Sequence, residues 1–128
     1  MPDSARTGVL VYAKNLQLVS RFYERVLAGK AIHADGDHQV LQLAEAQLII
    51  HAIPPPIANS ISIGVPPEPR EDQAIKPFFT VASLATAGQI AVDCGGLVCG
   101  PVWDGPGIRV RNVCDPEGNI IQLCENAA

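Results

Sequence analysis

One local pattern occurs twice in this chain, and a repeated pattern restricts the available folds more than composition does. In the first half, Gly8-Val9-Leu10-Val11-Tyr12-Ala13 reads as a strand by its β-branched and aromatic content. Asn15 follows as a candidate N-cap. Leu16, Val19, Tyr23 and Val26 then step by three, four and three, with Phe22 and Leu27 beside them. That spacing predicts an amphipathic helix, ended by Gly29 in the C′ position. Three short strands are expected next, over 30–34, 38–43 and 47–53. They are joined by the hairpin signal Asp35-Gly36-Asp37 and the weaker turn Ala44-Glu45-Ala46.

The second half repeats the order. A strand is expected over 77–82, with Ser83 as N-cap, and Leu84, Ala87, Ala91 and Cys94 repeat the helical steps up to Gly95-Gly96. Strands over 97–103, 108–114 and 120–125 complete it. Ala13-Lys14-Asn15-Leu16 lines up with Val81-Ala82-Ser83-Leu84, and Ile49-Ile50-His51 with Ile120-Ile121-Gln122. The expected fold is α+β, a β-α-β-β-β module used twice in a single domain. Module 1 spans about 7–53, a connector 54–76, and module 2 about 77–126. The connector holds Pro54-Pro55-Pro56 and Pro66-Pro67-Glu68-Pro69, which cannot sit in central strands, and the charged Arg70-Glu71-Asp72. Ile61-Ser62-Ile63-Gly64-Val65 alternates and predicts one short edge strand there.

The totals exclude several classes. At 128 residues with 48% hydrophobic content, the chain has material for one core. A net charge of −4 with scattered basic residues argues against a nucleic-acid surface. No apolar run is long enough to cross a membrane, and Met1-Pro2-Asp3-Ser4 shows no basic-then-apolar leader. Cys94, Cys99, Cys114 and Cys124 form no Cys-x-x-Cys pair, so buried thiols in a cytoplasmic protein are expected.

Near the C-terminus, Asp115-Pro116-Glu117-Gly118-Asn119 is a tight turn between two strands. Asp115 can accept from turn N–H groups, Pro116 presets φ, and Gly118 supplies a positive φ. With Asn15-Leu16, Arg21-Phe22-Tyr23-Glu24-Arg25-Val26-Leu27 and the following Gln122-Leu123, this turn resembles the vicinal oxygen chelate superfamily. That superfamily holds glyoxalase I, the bleomycin- and fosfomycin-resistance proteins and the extradiol dioxygenases. Its Phe-Tyr and its Asp-Pro-Asp/Glu-Gly turn are both present; its Leu-Gly stands here as Leu27-Ala28-Gly29.

The resemblance implies two modules whose eight strands form an incomplete barrel around a cleft, and commonly a homodimer in which one subunit completes the other's cleft. It also implies four positions for a divalent metal in the family's metalloenzymes, which fall here at Gly8, His51, Lys76 and Gln122. Glycine has no ligand atom and an ammonium has no lone pair, so no metal or other cofactor is expected at that site.

Several residues are candidates for contact with a ligand. His51 and Gln122 match in the repeat and are either hydrogen-bonded structural residues or cleft residues. Tyr12, Phe78 and Thr80 lie on the face expected to line the cleft, or else pack in the sheet. Trp103, the single Trp, beside Asp104-Gly105-Pro106-Gly107, either stacks on a flat ligand or seals the core or a dimer contact. Arg109 and Arg111 share one strand face; that face is either a cationic wall suited to a carboxylate or a solvent edge. The function expected is metal-independent binding or sequestration of a small, largely apolar or aromatic compound. The alternative is a divalent-metal lyase, isomerase or dioxygenase that recruits His33, His38, His51, Glu45 or Glu125.

Overall fold

The structure, a computed structural model, describes residues 6–127; the opening Met1-Pro2-Asp3-Ser4 lies outside them. Module 1 comprises β1 (Gly8–Ala13), α1 (Leu16–Val26), β2 (Lys30–Ala34), β3 (His38–Gln42) and β4 (Gln47–Ala52). A short helix, α2 (Pro55–Ala58), opens the connector. Module 2 comprises β5 (Phe78–Thr80), α3 (Leu84–Asp93), β6 (Leu97–Val98), β7 (Trp103–Gly105), β8 (Ile108–Cys114) and β9 (Ile120–Asn126). One sheet has the order β1-β4-β3-β2. The other runs β5-β9-β8-β6, with β7 also paired to β8. In each module the first strand lies parallel to the last, and the other pairs are antiparallel. The sheets are not closed into a barrel: among the described residues no strand pair joins them.

Four expectations change in detail. The strand expected over 97–103 is two, because Gly100 (φ 155) and Pro101 interrupt it, so the described residues form nine strands rather than eight. Residues 61–65 form no strand. The strand expected over 77–82 is only Phe78–Thr80. The fourth concerns the end of α1. Ala28, not Gly29, takes the left-handed C′ position (φ 51), and Gly29 follows it as C″, donating to Glu24 O at 3.1 Å while Leu27 donates to Tyr23 O at 3.0 Å.

Both N-caps form as read. Asn15 accepts from Leu18 N–H and Ser83 from Thr86 N–H, each at 3.1 Å. The helices bury one face each against their own sheet and against one another. Val19, Phe22, Tyr23 and Val26 of α1 and Leu84, Ala87 and Ala91 of α3 meet Leu41, Leu48 and Ile50 from sheet 1 and Val113, Ile121 and Leu123 from sheet 2. One core therefore serves both modules, and it lies on the helical side of each sheet.

The Asp115–Asn119 turn closes this arrangement. Asp115 is fully buried. Its Oδ1 accepts from Glu117 N–H and Asn119 N–H at 2.8 and 3.1 Å, and its Oδ2 accepts from Asn119 Nδ2 and from Tyr23 Oη of α1 at 2.8 and 2.7 Å. Burial, then the neighbouring Asp115, pushes the Tyr23 hydroxyl well above its usual pKa. Glu117 is also buried and reaches into module 1, accepting from Lys14 N–H at 2.8 Å and Asn15 N–H at 2.7 Å. Its carboxylate thus sits at the N-terminus of α1, where the helix dipole favours negative charge. Gly118 (φ 90) must be glycine, since a Cβ there would lie 2.3 Å from Glu68 O. The connector packs over the turn. Arg70 N–H donates to Gly118 O at 2.8 Å, and the Gln73 amide both donates to Ile120 O (2.8 Å) and accepts from Ile120 N–H (2.9 Å). No helix among the described residues is long and apolar enough to cross a membrane.

Candidate ligand-binding faces

With the core on the helical side, the opposite face of each sheet is open. On sheet 1, strand alternation buries Ala13, packs the partly buried Val9 and Val11 against the core and turns Gly8, Leu10 and Tyr12 outward; in β4 it turns Gln47, Ile49 and His51 the same way. Register aligns these into rungs: Gly8–Gln47–Gln42, Leu10–Ile49–Val40, and Tyr12–His51–His38. The first rung is polar, with Gln47 Nε2 donating to Gln42 Oε1 at 3.0 Å. The second is apolar. The third is a row of rings, with Tyr12 and His51 centroids 5.9 Å apart and tilted, and His38 and His51 5.8 Å apart and stacked. His51 Nδ1 lies 2.8 Å from Ala52 O. A carbonyl only accepts, so Nδ1 donates this bond.

On sheet 2 the corresponding rungs are Phe78–Gln122–Asn112 and Thr80–Cys124–Val110–Trp103. The Cys124 thiol lies 3.9 Å from Gln122 Oε1, and Asn112 Oδ1 is buried without a partner among the described residues. Tyr12, Phe78 and Trp103 are 60%, 69% and 49% exposed, and Leu10 is 47% exposed. Four large apolar side chains therefore stand on open sheet faces and not in the core, a distribution that marks a contact surface.

Tyr12 and His51 share one face, as do Phe78, Thr80, Gln122 and Trp103 on the other sheet. The matching between modules is shifted, however. The rung that holds Tyr12 and His51 in module 1 holds Thr80 and Cys124 in module 2, while Gln122 stands beside Phe78. Arg109 does not share the face of Gln122, so of the two readings of the arginine face the cleft wall is not the one these strands present. It lies opposite Glu125 on the helical side, with Nε 3.2 Å from Asp104 Oδ1 and Nη1 3.6 Å from Glu125 Oε2. Arg111 lies on that side too, donating to Gly100 O at 3.1 Å. The hairpin turn determines this parity, because pairing Cys114 with Ile120 places Asn112 opposite Gln122 and Arg109 opposite Glu125. Sequence reading missed Leu10 and Asn112, whose alternation with Tyr12 and Arg111 was the available signal.

The four metal positions implied by the resemblance do not suit a metal. A Cβ on Gly8 would lie 2.6 Å from Gln47 O, so that position offers no ligand and has no space for one. Lys76 is exposed and precedes β5. Of the other candidate ligands, Glu125 accepts from Leu84 N–H at 2.8 Å and caps α3, and Glu45 lies in the β3–β4 turn, at the opposite end of β4 from His51.

The sequence matches no family model and no curated protein. Solved structures do match. A glyoxalase/bleomycin resistance protein/dioxygenase family enzyme from Burkholderia phytofirmans PsJN superposes with a TM-score of 0.71 at 13% identity, over 97% of this chain and 100% of that one. This is the glyoxalase/bleomycin resistance fold. A glyoxalase/bleomycin resistance protein from Albidiferax ferrireducens T118 gives 0.69 at 16% identity, over 94% and 97% of the two chains. A bleomycin-binding protein solved with bleomycin gives 0.60 at 14% identity, over 97% and 100%. The resemblance read from the Phe22-Tyr23 and Asp115–Gly118 motifs therefore holds at the level of the fold, in which unrelated chemistries share one scaffold.

Proposed function

We propose that this protein binds and sequesters a small, largely apolar or aromatic compound on its open sheet faces, without a metal. The observation that carries this reading is the outward placement of Tyr12 and Leu10 on the face of His51 in one sheet, and of Phe78 and Trp103 on the face of the Gln122 and Asn112 amides in the other. Apolar walls with a few convergent polar groups are what a flat ligand needs. The poor ligand set at Gly8 and Lys76 supports a reading without metal at the family position, and a bleomycin-binding neighbour of the same fold supports sequestration.

Each face alone is an open wall. A homodimer in which sheet 1 of one subunit faces sheet 2 of its partner encloses the ligand between them and covers the exposed rings. Four free cysteines suit a reducing compartment such as the cytoplasm.

Trp103, the single Trp, reports on the site directly. Its fluorescence, titrated with a panel of aromatic compounds with and without EDTA, is expected to show saturable quenching indifferent to the chelator, and weakened by Gln122→Ala or His51→Ala. Absence of saturable binding across the panel, or binding lost to EDTA and restored by metal, would overturn the reading. Light scattering at micromolar concentration should give about twice the 13.5 kDa of one chain.

A further inference from the structure

The ring row on sheet 1 continues beyond His38 to a group that ligand binding does not use. His33 and His38 stack with centroids 4.5 Å apart, and both turn toward Asp35 in the β2–β3 hairpin. We propose that His33, Asp35 and His38 form a site for one divalent transition-metal ion of the Zn2+ or Cu2+ class, separate from positions 8, 51, 76 and 122.

The geometry is set by the hairpin. Asp35 Oδ1 accepts from Asp37 N–H at 2.8 Å and from His38 N–H at 3.0 Å, which fixes the carboxylate in the turn. Its Oδ2 lies 2.7 Å from His33 Nε2, and Oδ1 lies 3.5 Å from His38 Nδ1. A register irregularity between Ala31 and His33 brings the His33 ring to this place. One donor atom from each residue lies within 4.8 Å of the other two. An ion held at about 2.0–2.1 Å from three donors in a tetrahedral array separates them by about 3.4 Å, so small side-chain rotations suffice.

Two imidazoles and one carboxylate suit zinc, copper or nickel. Calcium and magnesium require more oxygen ligands than this hairpin supplies. The three side chains are one-third to one-half exposed, so a hydrated ion reaches them and water completes the shell. Occupancy would pin His38, and through its stack with His51 one end of the ring row.

The test is calorimetric titration of chelator-stripped, full-length protein with Zn2+ alone, alongside melting with and without the ion. One ion per chain and a raised melting temperature are expected. His33→Gln and His38→Gln should each weaken binding by roughly tenfold or more and abolish the rise in melting temperature, whereas His51→Gln should leave both intact. The His variants sit on the surface, and circular dichroism in EDTA verifies that each is folded. Absence of saturable binding overturns the proposal. So does binding that survives both His33→Gln and His38→Gln, or binding lost in His51→Gln alone. These outcomes are independent of the EDTA arm of the aromatic-ligand titration.

Discussion

Replacing Glu117 tests how the two modules are held together. This side chain is 6% exposed and uses both carboxylate oxygens on backbone N–H groups of the other module, at 2.8 and 2.7 Å. A hydrogen bond to a charged group contributes about 1.5–3 kcal/mol net, so the pair contributes about 3–6 kcal/mol. Lys14 and Asn15 are themselves exposed, so water reaches the freed N–H groups and the loss falls at the lower end. Glu117→Ala should therefore cost about 3–4 kcal/mol. With a urea slope of about 2 kcal/mol per molar for a domain of this size, the midpoint falls by about 1.5–2 M. Glu117→Gln keeps one acceptor oxygen but points an NH2 at the second N–H, and should cost about 2 kcal/mol, or about 1 M. Equilibrium urea unfolding followed by both Trp103 fluorescence and far-UV circular dichroism measures this. If both variants unfold within about 0.5 M of the parent, the carboxylate contributes nothing net to joining the modules.

Other outcomes follow from single residues. Ala28→Gly relieves a left-handed alanine at φ 51 and should raise stability by about 0.5–1 kcal/mol after the entropy of glycine in the unfolded chain is counted; a lower urea midpoint would contradict the C′ assignment. Ile121→Ala, in the shared core, should cost about 2–4 kcal/mol, while Tyr12→Ala on the open face should stay within about 0.5 kcal/mol; reversal of that order in chemical denaturation would mean the sheet faces are assigned backwards. Burial, with Cys99 beside it, pushes the Cys114 thiol up to about 12 from 9.0, and Tyr23 is likewise raised above 10.0. Both groups hold their protons longer in the folded state. Stability is thus fully present below pH 9 and should decline as pH rises toward 12, and Tyr23→Phe and Cys114→Ala should each flatten part of that decline; a urea midpoint constant from pH 8 to 11.5 would refute it.

What the sequence disclosed was local. The caps Asn15 and Ser83, the helical spacing of Val19, Tyr23 and Val26, and the turn chemistry of Asp115–Gly118 all depend on neighbours within a few residues, so each could be read directly. The partner of Glu117 is Lys14, and no local rule connects residues that far apart; it read only as a turn residue. His33 and His38 stand in the sequence only among the residues a metal enzyme could recruit, because the register irregularity that gathers them around Asp35 leaves no trace in composition. Arg109 differs in kind. Its face followed from counting outward from the turn, a step that required only commitment to the hairpin register. Ala28 misled for an energetic reason: the strain of a left-handed alanine is small enough for the Glu24 and Tyr23 carbonyl bonds to impose it.

The bond from Glu117 to Lys14 closes over a separation of 103 residues, and this has a bearing on synthesis. Module 1 emerges from the ribosome with the N-terminus of α1 lacking its carboxylate and Tyr23 lacking the Asp115 acceptor. Both partners arrive with the turn between β8 and β9. Until then the first half is a sheet with one helix whose inner face awaits α3 and β9. Completion therefore waits until residues 115–123 have left the tunnel, and a chain arrested before residue 115 would present the Phe22–Tyr23 face uncovered, a substrate for chaperones and proteases and not a half-protein of independent use.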